Sequence, residues 1–143
     1  MKKVLLTFAF VSSLLPLLHA QQNAGSTIRG TTWKGVFSVP NPLDCLLQFK
    51  KDTVLMLYVG IETITLNDGR TVGAQDSAAL EVMTYTLRGD TVTFSKVSGG
   101  SPCDNDPGVY LAQKTSDKMK LVPVKDNCDA RKYAMATDMT QVK

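Results

Sequence analysis

Asp104, Asp106, Asp126 and Asp129 fall within one short stretch of the chain. Oxygen donors gathered in this way are what a hard cation such as calcium requires. Their spacing follows no calcium-loop pattern, however, and aspartates in polar loops ordinarily serve turns, so no metal is assigned. Glu62 and Glu81 would be the pair for general acid–base chemistry. They lie on separate predicted strands with nothing to bring them together, and read as solvated strand charges. Histidine-dependent chemistry is excluded more firmly, and nothing in the sequence marks a lysine- or carboxylate-based site. The single histidine is His19, inside a leader, so the rest of the chain has no Ser-His-Asp triad, Cys–His pair or His-ligated zinc or copper site. The expectation is a non-enzymatic protein with no catalytic residue and no cofactor.

The leader is read from its pattern. Met1-Lys2-Lys3 is a short positive start, residues 4–18 are an apolar run too short to span a bilayer comfortably, and Leu18-His19-Ala20 ends on a small residue before polar Gln21-Gln22-Asn23. This predicts a short signal helix over residues 1–20, cleaved after Ala20, and a secreted or periplasmic protein with no membrane attachment after cleavage. Residues 21–30 read as a flexible lead-in, and residues 31–143 as one domain. Removing Lys2 and Lys3 leaves fourteen basic against thirteen acidic residues. So small a net charge gives no reason to expect nucleic acid or an anionic membrane as partner, and a monomer is expected.

Export places Cys45, Cys103 and Cys128 in an oxidising compartment, which favours pairing two of them. Three pairings are possible. Cys103 and Cys128 both lie in turn-like polar sequence at the ends of one predicted hairpin, which favours their disulfide. Cys45 opens an apolar alternation and reads as a buried small hydrophobe; Cys45 joined to either of the others is the rival pairing.

The elements that must position these residues are strands. Residues 31–39 place Trp33, Gly35, Phe37 and Val39 on one face, and Cys45, Leu47 and Phe49 alternate with Gln48 and Lys50. Residues 53–59 are rich in β-formers. A strand at 62–66 leads into the turn Asn67-Asp68-Gly69-Arg70. Residues 71–79 read as a loop, with a strand from Leu80 and another over 91–96. Residues 108–114 and 118–124 form the hairpin between the two cysteines, with Pro123 marking an edge or a bulge. Residues 126–130 are expected to wind one turn before a last strand over 131–137. This pattern predicts an all-β, antiparallel, roughly eight-stranded up-and-down barrel. The inward set is expected to include Trp33, Phe37, Leu47, Phe49, Val92, Phe94, Val109, Leu111, Met119 and Leu121. Lys114, Lys118, Lys120 and Lys125 make a basic hairpin face, of the kind that steers an anionic partner or protects exposed strands.

Gly30-Thr31-Thr32-Trp33, the unit Arg88-Gly89-Asp90-Thr91-Val92-Thr93-Phe94, Ser101-Pro102-Cys103 with Gly108-Val109-Tyr110, and Asp126-Asn127-Cys128-Asp129-Ala130-Arg131 together resemble the bacterial lipocalin-like (calycin) β-barrel proteins. That family has a glycine–x–tryptophan at the first strand and a late arginine over the indole. This chain has one more residue between Gly30 and Trp33. The resemblance implies that Trp33 and Arg131 tie first strand to last by a cation–π contact, and that a small apolar molecule is bound. An eight-stranded barrel is wide enough for its own side chains or one small ligand. The expected lining is Phe37, Leu47, Phe49, Met56, Met83, Tyr85, Phe94 and Leu111. The alternative is a protein–protein interaction module, such as a barrel-shaped enzyme inhibitor, acting through loops 40–44, 73–79 and 99–107 around a full interior. Whether the barrel contains a cavity separates the two readings.

Overall fold

Period-two burial is what turns this chain into a sheet. In β1 (Thr32–Ser38), β2 (Pro42–Phe49) and β3 (Thr53–Tyr58), buried residues alternate with half-buried or exposed ones, so that Trp33, Phe37, Cys45, Leu47, Phe49, Val54, Met56 and Tyr58 share the inner face. The computed structural model describes residues 28–38, 41–60, 62–66, 68–73, 79–103 and 106–143. The predicted leader and its helix lie outside these residues, as do position 39 of the first predicted strand and positions 40, 74–78 and 104–105 of the predicted loops. β4 (Ile64–Thr65) and β5 (Thr71–Val72) form a two-stranded hairpin of their own. The chain then returns through β6 (Ala79–Arg88), β7 (Thr91–Gly99), β8 (Gly108–Thr115) and β9 (Lys118–Lys125) to a short helix, α1 (Asp129–Met135), and finally β10 (Asp138–Val142).

Every barrel pairing is antiparallel, in the order β1-β10-β9-β8-β7-β6-β3-β2, and β1–β2 contact closes the circle. The expected all-β, eight-stranded up-and-down barrel is therefore what forms, and closure leaves its strands no open edge. Pro42 is tolerated because it is the first residue of its strand. Cys103 and Cys128 form a disulfide across 25 positions of sequence, and Cys45 is a buried free thiol. Among the described residues no helix is long and apolar enough to cross a membrane.

One end of the barrel is packed shut. Ile28, which the sequence assigns to the flexible lead-in, is fully buried. Thr31 Oγ1 donates to the Ile28 carbonyl at 2.6 Å, and Trp33 Nε1 donates to that hydroxyl at 2.7 Å. The cation over Trp33 is Lys114, whose Nζ lies 5.8 Å from the ring centroid, and not Arg131. The strand β8 explains why. Its first residue, Gly108, packs against Arg131, while Lys114 near its other end reaches Trp33. Six residues of strand, about 20 Å, separate the two sites, so the indole and Arg131 belong to opposite ends of the barrel.

Two further expectations are corrected. Tyr110 and Ala112 face inward, and Val109 and Leu111 lie half-buried on the outer face. All four residues are apolar enough that periodicity does not choose the phase. It is chosen by Tyr110, whose hydroxyl donates to the Asp126 carboxylate, and by a bulge that leaves Val124 unpaired beside Pro123. The helix is also longer than the single expected turn, and the last strand starts later. Arg131, Ala134 and Met135 are spaced to bury one helical face, Asp129 suits the first turn, and Asp129 binds Lys132 at 2.6 Å.

Candidate functional site

The interior is divided between a filled and an open half. Aromatic rings fill the first: Phe49 meets Tyr85 edge-on at 5.2 Å, and Phe94 meets Tyr110 at 5.6 Å between centroids. Tyr85 anchors one extreme by donating to the Lys50 carbonyl at 2.6 Å. Beyond this packed half, at the end carrying α1, lies a cavity of about 520 Å³. Its barrel wall is Ser38, Met56, Leu80, Glu81 and Met83; Leu66 comes from the small hairpin, and Gly100, Ser101 and Pro102 from the loop after β7. The helix closes the remaining side with Ala130, Arg131, Tyr133, Ala134 and Met135.

Of the residues expected to line a ligand, Met56 and Met83 are on this wall. Phe37, Leu47, Phe49, Tyr85 and Phe94 are buried but are not part of this wall, and Leu111 lies half-buried on the outer face. The cavity thus sits nearer the mouth than strand alternation alone implies. Ala130, Ala134 and Met135 were missed because the expected turn over 126–130 is a helix that runs on to Met135 across the mouth, and Leu80 because register shifts at the start of β6 bury it next to Glu81.

Glu81 is another residue that sequence reasoning misplaces. It is 8% exposed, accepting from Ser101 Oγ at 2.6 Å and from Ser101 N–H at 3.2 Å. Leu80 and Glu81 are buried in succession because register shifts flank the start of β6: one opposite Met56 and Leu57, the other between Val82 and Met83. Such bulges re-aim side chains. Gly99 makes the space. Its φ is +135°, and a Cβ there would collide with the Glu81 carboxylate and lie 2.6 Å from the Leu80 carbonyl oxygen. A glycine at that point of a strand is the sequence signal that could have located the buried carboxylate.

The acidic stretch resolves into separate partnerships. Asp126 is buried against Arg131, which donates through Nε to Oδ2 at 2.6 Å and through Nη2 to Oδ1 at 2.7 Å. Arg131 Nη2 also reaches the Asp106 carbonyl at 2.7 Å, and the Cys128 N–H donates to Asp126 Oδ1 at 2.8 Å. Gly108 makes this approach possible, since a Cβ there would strike the Asp126 carboxylate and lie 2.7 Å from Arg131 Nε. Asp106 Oδ2 accepts from Asn127 at 2.7 Å and Asp129 is held by Lys132; Asp104 lies outside the described residues. Glu62 is exposed and does not join Glu81.

Burial alone would raise the Asp126 carboxyl, but hydrogen bonds from Arg131, Tyr110 and the Cys128 N–H outweigh it and hold it below the usual carboxylate range. Burial, followed by Asp126, pushes Tyr110 well above an ordinary phenol, so its hydroxyl remains a donor. Because the folded carboxyl ionises below its unfolded value of about 3.9, its stabilisation is complete above that pH and is lost as pH falls through the folded value. The melting temperature is therefore expected to drop below about pH 4, and Asp126→Asn should flatten that acid limb; a limb unchanged by the substitution would assign it to other carboxylates.

Cys45, the free thiol, is pushed up to about 12 by burial and then by Asp44, which leaves no thiolate for nucleophilic work. Among the described residues no group of three His, Cys, Asp or Glu is placed to hold a metal ion. Compared with family models, curated proteins and solved structures, the chain finds no match.

Proposed function

We propose that this chain is an exported, non-enzymatic, lipocalin-like barrel that binds one small apolar molecule in the cavity beneath α1. The supporting observation is the cavity itself. Its volume of about 520 Å³ falls within the range of roughly 300–1,000 Å³ typical of small-molecule pockets. Most of its wall is aliphatic or thioether, with a few polar groups at the rim, which is the usual composition of such sites. Met56, Met83 and Met135 supply flexible, polarisable side chains that adapt to a guest. The family reading draws on the closed antiparallel barrel together with the glycine, tryptophan and Asp-Asn-Cys-Asp-Ala-Arg segments of the sequence. Export draws on the leader pattern and on the disulfide, which persists in oxidising compartments.

The interaction-module reading expected a full interior, so the cavity favours the carrier over the inhibitor. Native mass spectrometry of protein exported by its own leader tests the proposal. A one-to-one apolar adduct, or uptake of one molecule of the neutral dye Nile red, is the expected outcome. A bare mass that takes up no apolar probe would remove the carrier reading.

A further inference from the structure

A net charge near zero conceals where the charges lie. In an up-and-down barrel successive connections alternate between the two ends. The end shut by Ile28 and Trp33 therefore carries three tight turns: residues 50–52 between β2 and β3, 89–90 between β6 and β7, and 116–117 between β8 and β9. Main-chain bonds fix each turn to a neighbouring strand. The Tyr85 N–H donates to the Asp52 carbonyl at 3.1 Å, the Ala112 N–H to the Asp90 carbonyl at 2.8 Å, and the Gln141 N–H to the Asp117 carbonyl at 2.8 Å. These turns, their flanks and the chain entering β1 hold Arg29, Lys50, Lys51, Arg88, Lys114 and Lys118, against Asp52, Asp90 and Asp117. Five of these six cations are exposed, and Lys114 is half-buried over Trp33.

Along the barrel wall and at the mouth, opposite charges are matched instead. Lys34 meets Asp44, Arg70 meets Asp68, Lys120 meets Asp138, Arg131 meets Asp126 and Lys132 meets Asp129, at 2.6–3.8 Å. At the closed end Arg29 meets Asp52 at 3.5 Å. The positive charge of the molecule is thus gathered at one end, and a field of that shape acts on partners even when the total charge is small.

We infer that the closed end docks on an anionic phospholipid surface, with the cavity mouth turned away from the membrane. Clusters of about four to eight basic side chains are what draw proteins to anionic leaflets. The cations here stand on three separate turns spread across the barrel end. Such an array suits charge that is diffuse and laterally mobile, as lipid phosphates are, better than one fixed acidic epitope. Lysine predominates in it, and lysine meets phosphate as a point charge, without the planar fork of arginine. The docking is independent of what the cavity binds.

Sedimentation with vesicles tests it, using protein exported by its own leader. Vesicles of phosphatidylcholine with about one-third phosphatidylglycerol should carry the protein down at low salt. Binding should weaken as salt rises to about 0.15 M, and pure phosphatidylcholine should carry none. Each basic side chain near such a surface is worth about fivefold in affinity, so Lys51→Glu with Arg88→Glu should weaken binding at least about tenfold. Arg70→Glu with Lys125→Glu makes the same change in net charge at the mouth end and should cost less than about threefold. Melting curves verify that both variants are folded. Trp33, the single tryptophan, lies at the docking end, and lipids carrying a nitroxide on the head group should quench it. No sedimentation with anionic vesicles at low salt, equal uptake by neutral vesicles, equal losses in the two variants, or binding that leaves Trp33 unquenched would each overturn the docking. Binding to soluble polyglutamate without sedimentation would overturn it in favour of an acidic protein partner.

Discussion

Asp126→Ala is expected to lower the unfolding free energy by about 3–5 kcal/mol, which is a large share of the roughly 5–15 kcal/mol that holds a domain of this size. The size follows from what the substitution leaves behind. Arg131 is 4% exposed, and in the native protein both Nε and Nη2 are bound to Asp126. Remove the carboxylate and a buried guanidinium stands without a countercharge, the Tyr110 hydroxyl loses its acceptor, and the Cys128 N–H loses the oxygen that orients it. Water has no easy route to replace them, because Gly108 and Tyr110 pack directly against the pair. Urea denaturation at neutral pH measures the loss. The double variant Asp126→Leu with Arg131→Met should recover much of it, since a buried ion pair replaced by apolar volume is often neutral. A single-variant cost below about 1 kcal/mol, the scale of an exposed pair, would show that the pair is not buried as described.

Removing the disulfide is the second large effect. Its 25-residue separation corresponds to about 3.5 kcal/mol of unfolded-chain entropy, so Cys103→Ser with Cys128→Ser should lower stability by roughly 2–4 kcal/mol. The consequence for binding is more informative. Cys103 follows Pro102 on the loop wall, and Cys128 precedes Ala130 and Arg131 on the helix wall. The cystine joins the two sides of the mouth. Ligand affinity in the reduced or serine-substituted protein is expected to fall by more than the melting temperature alone accounts for, with the lower half of the barrel unchanged. Urea titration and Nile red binding, run on the same preparation, separate the two effects. Full affinity in the reduced protein would mean that the mouth is held by packing and not by the staple.

How much of this was legible in the sequence depended on local contrast. Cys45, Leu47 and Phe49 alternate against Gln48 and Lys50, and that strand reads directly. Asn67-Asp68-Gly69-Arg70 marks its hairpin without help from tertiary structure. In residues 109–112 both faces are apolar, and the phase is decided by a hydrogen bond from Tyr110 to a residue sixteen positions away, which no periodicity contains. Arg131 was singled out and given the wrong partner: it pairs with Asp126, and Lys114 lies over Trp33. An arginine three residues after a cysteine does not declare which of several aspartates or rings it will meet. That choice is made by the length of β8, which places Trp33 and Arg131 at opposite ends. The cavity was half legible. Met56 and Met83 point inward by strand alternation, whereas the helical side of the wall depends on the disulfide and on α1 folding across the mouth. Glu81 was the least visible, because two bulges turn a residue that reads as solvent-facing toward the interior.

The most direct test of the central claim is a methyl NMR titration of protein carrying ¹³C-methyl methionine. Met56, Met83 and Met135 line the cavity; Met119 and Met139 are buried elsewhere in the barrel and serve as internal controls. Added methyl decanoate should shift Met56, Met83 and Met135 in one saturating step and leave Met119 and Met139 in place. Saturating shifts confined to Met119 and Met139, or no methionine shift at all, would contradict a ligand site beneath the helix.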